Sequence, residues 1–138
     1  MKKYVFILSL VYLLSILALT VYTDQFNGLS VLGILVAQIF ISIILLFLFR
    51  NQAKQHLRTL AGLNVAFFAV YSILQNFFIL TGSRLETILA NSNFINSNNV
   101  TVQANNPIED TITGIVIFVI LHWFVTYRLS RAKKDETV

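Results

Sequence analysis

The sequence predicts an all-α integral membrane protein built from four transmembrane helices, and three observations carry that prediction. Of its 138 residues, 57% are hydrophobic and only 12% are charged, whereas soluble domains hold about 45–50% apolar and about 25% charged residues. The apolar residues gather into four runs, each able to cross about 30 Å of hydrocarbon at about 1.5 Å per residue. When those runs are threaded back and forth, nine of the ten lysines and arginines fall on one side. A mean hydropathy of +0.75 belongs to a chain with too few polar groups to cover its apolar surface in water. One domain, residues 1–138, is expected at this length.

The first span covers about Tyr4 to Tyr22, behind Lys2 and Lys3. It is too long for the apolar core of a secretory signal, and no A-x-A-like cleavage site comes before Asp24. After the short turn Thr23 to Gly28, the second span runs from about Leu29 to Phe49. The linker RNQAKQHLRTL then leads into the third, about Leu60 to Leu80. The fourth covers about residues 107–129, with Asn106 as a helix cap and Pro107 at the first helical position. Glu109 and Asp110 sit there against the positive end of the helix dipole. No span is visibly broken.

Charge fixes the expected orientation. Lys2, Lys3, Arg50, Lys54, Arg58, Arg128, Arg131, Lys133 and Lys134 share the side of both termini. Arg84 lies opposite, with Asp24, Glu86, Glu109 and Asp110. Basic residues remain on the cytoplasmic face, so both termini are expected in the cytoplasm, as in a multi-pass protein of a bacterial inner membrane.

The long outer loop, about residues 81–106, contains the uncharged stretch NSNFINSNNVTVQANNP. It opens with Ser83-Arg84-Leu85-Glu86, a capping-box pattern. Leu85, Ile88 and Leu89 then share a helical face, which predicts a short interfacial helix over Ser83 to Ala90. Val100-Thr101-Val102 reads as a brief strand. Arg84, Glu86, Phe94 and Asn99 are the candidate contacts of this loop; the competing reading makes most of it a solvated tether. Asn99-Val100-Thr101 also fits the N-glycosylation pattern, with no other sign of a secretory route.

Every acidic residue, lysine and arginine lies in a loop, a terminus or a span edge, which argues against proton coupling and voltage sensing. The spans carry neutral polarity instead. Gln38 lies mid-span, while Asn64, Phe68, Tyr71 and Gln75 share one face of the third span and Asn76 flanks it. Gln38 and Gln75 both fall about 9–12 Å in from the outer surface, and are expected to meet with Tyr71 and Ser15 nearby. Such amides act either as interhelical hydrogen-bonding glue or as the lining of a polar path. Ser30, Gly33 and Ala37 line one face of the second span, and Gly62, Ala66 and Ala69 one face of the third, at spacings that let helices approach. His122, beside Trp123 and Tyr127, reads as a hydrogen-bonded residue of the inner aromatic belt.

Other chemistries find little footing. The absence of cysteine and the two isolated histidines, His56 and His122, predict no metal site and no cofactor. Catalytic signatures such as G-x-S-x-G, H-E-x-x-H or a P-loop are missing, so no enzyme is expected. Arg50, Lys54 and Arg58, at helical spacing, suit anionic lipid headgroups or a partner's acidic patch rather than nucleic acid.

The MKKY opening, the basic linker after FLFR and the tail YRLSRAKKDE together resemble the uncharacterised small four-span inner-membrane proteins of Gram-negative bacteria. A looser likeness is to immunity proteins against pore-forming toxins. The expected function is a non-enzymatic accessory, assembly or protective module that packs against another membrane protein. The alternative is a homo-oligomeric channel or carrier for a small solute, using Gln38, Asn64, Tyr71 and Gln75. A membrane enzyme acting on lipid ranks behind both.

Overall fold

The computed structural model describes residues 1–49, 56–93 and 106–132. Helix α1 (Lys2–Val21) is followed by a 3-10 turn (Thr23–Gln25) and α2 (Gly28–Phe49). Helix α3 (Leu57–Leu74) runs directly into a π-helical turn (Gln75–Ile79), then come α4 (Gly82–Asn91) and α5 (Pro107–Ala132). Four helices are long and apolar enough to cross a membrane: Lys2–Val21, Gly28–Phe49, Leu57–Ile79 and Pro107–Ser130. All four coincide with the apolar runs of the sequence. The third begins a turn earlier than its hydropathy suggests, because Leu57 to Thr59 continue the helix beyond the apolar stretch.

The long helices alternate in direction. At the end that holds Met1, Tyr4 packs edge-on against Phe49 with ring centroids 5.4 Å apart. At the opposite end Asn91 Nδ2 donates to the carbonyls of Asp24 and Phe26, each at 2.9 Å. Gly28 N donates to Ser92 Oγ at 2.8 Å, so α4 is pinned across the α1–α2 turn. Asn76 Nδ2 donates to Thr111 Oγ1 at 2.9 Å, joining the π turn to the first turn of α5. Helix α3 is the hub of the bundle, packing against α1, α2 and α5.

The core is a seam of Tyr4, Leu8, Tyr12 and Leu19 from α1, closed by Leu45, Leu46, Leu60, Phe68, Tyr71, Ile79 and Phe118. The outside is equally greasy: Phe6, Leu13, Leu48 and Phe78 are exposed, and Trp123 is 72% exposed. Such a surface is compatible with lipid as solvent, in which contrast of polarity cannot be what orients the helices. Close packing and interhelical hydrogen bonds take that role.

Two local expectations change. The capping box at Ser83 and Glu86 does not form: α4 starts at Gly82, Thr81 takes the cap position, and no side chain caps the helix. Gly82 enters with φ 54°, a left-handed conformation open to glycine, so the backbone turn replaces the side-chain cap. The third span, expected unbroken, is also interrupted. Leu80 N donates to Gln75 O at 2.7 Å, five residues back, which closes a π turn. At the start of α5 the expected cap is present, with Ile108 N donating to Asn106 Oδ1 at 3.0 Å.

Candidate functional site

The polar residues of the spans form an internal hydrogen-bonded link that touches all four long helices. Tyr4 of α1 donates its hydroxyl proton to Asn64 Oδ1 of α3. Asn64 Nδ2 donates to the Ser42 carbonyl of α2 at 3.1 Å. Ser42 Oγ lies 3.0 Å from His122 Nε2 of α5, and His122 Nδ1 lies 3.0 Å from the Phe118 carbonyl. A carbonyl accepts only, so Nδ1 carries the ring proton in its contact with Phe118; the single Ser42 hydroxyl proton is shared between the Ile39 carbonyl, 2.8 Å away, and His122 Nε2. Each of Tyr4, Ser42, Asn64 and His122 is no more than 1% exposed.

The same region holds a ring stack. Phe68 lies on Phe118 with centroids 4.1 Å apart and planes 13° from parallel, and Phe118 lies on His122 at 3.9 Å and 15°. His122 is therefore a buried core residue and not part of the aromatic belt. The sequence signal that places it is helical spacing: Thr111, Phe118, His122 and Thr126 share one face of α5 and are all buried. Trp123 and Tyr127, its neighbours in sequence, point elsewhere and are exposed. Tyr4 and Ser42 are also members that the sequence reading passed over. Among the described residues, His122 is the sole buried side chain that can carry a positive charge, and no aspartate or glutamate is buried.

Next to this link sits a group of polar atoms that complete no hydrogen bond among the described residues. The Tyr12 and Tyr71 rings lie 5.5 Å apart. Their hydroxyls, and both amide atoms of Gln38, are fully enclosed without a hydrogen bond. Leaving a buried donor or acceptor unsatisfied costs about 1–3 kcal/mol, and such groups are the ones that buried water or a ligand's polar atoms satisfy.

Gln75 behaves differently. No hydrogen bond joins it to Gln38; its side chain lines a partly open cleft of about 610 Å³ at the end of the bundle opposite Met1. Helix α2 supplies Val31, Leu32 and Leu35 to this cleft, α3 and its π turn supply Ser72, Gln75 and Asn76, and α4 supplies Leu85, Ile88 and Leu89. Pro107, Asp110 and Gly114 complete it from α5. The volume falls within the range of about 300–1,000 Å³ common to small-molecule sites.

The remaining sequence candidates do not converge on either region. Arg58 is exposed on the first turn of α3, while Arg50 and Lys54 lie outside the described residues. Arg84 and Glu86 are exposed on α4. Phe94, Asn99 and the Val100–Val102 stretch also lie outside the described residues. Among the described residues, no group of three His, Asp or Glu side chains could hold a metal ion. No family model, curated protein or solved structure matches the chain.

Chemically, the interior offers neutral donors and acceptors: amides, hydroxyls and one imidazole. These are groups for holding helices together or for binding an uncharged polar molecule. Fixed charge for moving ions across the bundle is absent from the described core.

Proposed function

We propose that the chain is a non-enzymatic accessory or protective module that packs against another membrane protein of a bacterial inner membrane. In this reading both termini face the cytoplasm and α4 rests on the opposite surface of the bilayer. One observation carries it: the small-residue faces turn away from the bundle. Gly33 and Ala37 of α2 and Gly62 and Ala66 of α3 are exposed, while Ser30 and Ala69 at the ends of the same faces are half-buried, and a Cβ built at Gly33 or Gly62 meets nothing within 4 Å. Small residues stabilise membrane helices by letting backbones approach. Since this bundle does not use them itself, they are available to a helix from outside. The resemblance to small four-span inner-membrane proteins and to immunity proteins agrees with such a role.

A photo-crosslinking residue placed at Ala37 tests the reading in native membranes. The expected product is a single adduct to a foreign membrane protein, reduced about tenfold by Gly33→Leu, a loss of about 1.4 kcal/mol. The bundle itself has room for that leucine. Adducts to lipid alone, or an adduct indifferent to Gly33→Leu, would overturn it.

The second reading, a channel or carrier for a small solute, draws on the unpartnered atoms of Tyr12, Gln38 and Tyr71. It places the path inside one bundle rather than between copies. Gln38→Leu would then abolish liposome flux while leaving assembly intact.

A further inference from the structure

The cleft between α2, the π turn, α4 and α5 has a composition that specifies its occupant. Its walls are hydrocarbon, with Val31, Leu32 and Leu35 facing Leu85, Ile88 and Leu89. Its polar side is narrow and uncharged. Gln75 is only 3% exposed, yet its amide makes no hydrogen bond to the described residues, and it lines the cleft. Beside it are the Ser72 hydroxyl and Asn76, whose Nδ2 is engaged with Thr111 while its Oδ1 remains able to accept. Gln75 and Asn76 are the first two residues of the π turn, whose closing bond runs from Leu80 N to the Gln75 carbonyl. Among the described residues, no lysine or arginine lines the cleft, and the single charged lining residue is Asp110.

We infer that this cleft binds one uncharged, single-chain amphiphile from the adjoining leaflet. The acyl chain lies against the α2 and α4 leucines, and a hydroxyl-bearing head hydrogen-bonds to Gln75. A primary amide both donates and accepts, and so does a hydroxyl; a head with neighbouring hydroxyls can therefore engage Gln75, Ser72 and the Asn76 oxygen together. An anionic phosphate head finds no lysine or arginine among the described lining residues. The capacity also selects: at the ~30 Å³ that one water occupies in the liquid, 610 Å³ holds roughly twenty non-hydrogen atoms. That fits one acyl chain with a small head, and is too small for a two-chain phospholipid. The inference stands independently of any protein partner on the outer faces of α2 and α3.

The test uses the full chain in phosphatidylcholine nanodiscs doped equally with 1-monolauroylglycerol and phosphatidylglycerol, read by native mass spectrometry. The chain is expected to retain one monolauroylglycerol and to discriminate against phosphatidylglycerol. Gln75→Leu should lower retention roughly three- to tenfold, the range for one lost hydrogen bond. Val31→Trp, which fills the cleft from its wall, should abolish retention. Gln38→Leu, outside the cleft, should leave it unchanged. Helical content and unfolding temperature of each variant separate lost binding from lost folding. A measurement on the unaltered chain decides the matter even where a variant misfolds: monolauroylglycerol with both head hydroxyls methylated should bind at least three-fold more weakly. Preference for phosphatidylglycerol, equal binding of the methylated analogue, or no retained amphiphile would each overturn the inference.

Discussion

At the residue scale, Asn64 and Gln38 make a contrasting pair. Both are amides at least 98% buried in the same bundle, but Asn64 bonds to Tyr4 and to the Ser42 carbonyl, whereas Gln38 lies beside the Tyr71 hydroxyl without completing a hydrogen bond among the described residues. Asn64→Leu strands the Tyr4 hydroxyl and should destabilise the bundle by about 1–3 kcal/mol. Gln38→Leu, close in size, removes two unsatisfied atoms and should be neutral or stabilising. Reversible unfolding in mixed micelles distinguishes the two signs. A Gln38→Leu variant that unfolds more easily would mean that the amide has a partner of its own, such as a bound solute. Part of this network was legible in the sequence. The helical spacing of Asn64, Phe68, Tyr71 and Gln75 placed them on one face, and all four are buried. The pairing of Tyr4 with Asn64 was not legible, because it joins residues 60 positions apart and depends on how two helices rotate about their axes. His122 was misplaced for a related reason: its neighbours along the chain suggested an interface, while its neighbours along the helix face pointed inward.

At the element scale, hydropathy revealed the four long helices because each needs about 20 apolar residues to cross a bilayer, whatever its neighbours do. The π turn was hidden. Its hydrogen-bond shift inserts an extra residue into one turn, and nothing in QNFFI distinguishes it from ordinary helix. Helix α4 was legible from Leu85, Ile88 and Leu89, but its start was not, since Gly82 supplies a left-handed backbone instead of the expected side-chain cap. Two substitutions probe its attachment. Gly82→Ala, at φ 54°, should cost about 1–2 kcal/mol. Asn91→Ala removes the donor to the Asp24 and Phe26 carbonyls, and should raise amide exchange across α4 while leaving α1 and α3 protected. Equal protection of α4 in Asn91→Ala would show that packing alone holds that helix.

At the scale of the whole molecule, the alternating helices fix the relation between loops and termini, and charge supplies the proposed direction. The absence of cysteine makes this simple to examine with single-cysteine variants. Thr59→Cys should react with an impermeant maleimide only after the cell is opened, and Ser83→Cys in intact spheroplasts. The reverse pattern would invert the topology. The central claim is that the bundle turns small-residue faces outward to meet a different membrane protein. It is tested most directly by extracting the chain from its native membrane into polymer discs and weighing the intact assembly. The account predicts a fixed-ratio complex with a foreign membrane protein that dissociates in Gly33→Leu. A closed ring of this chain alone would contradict it.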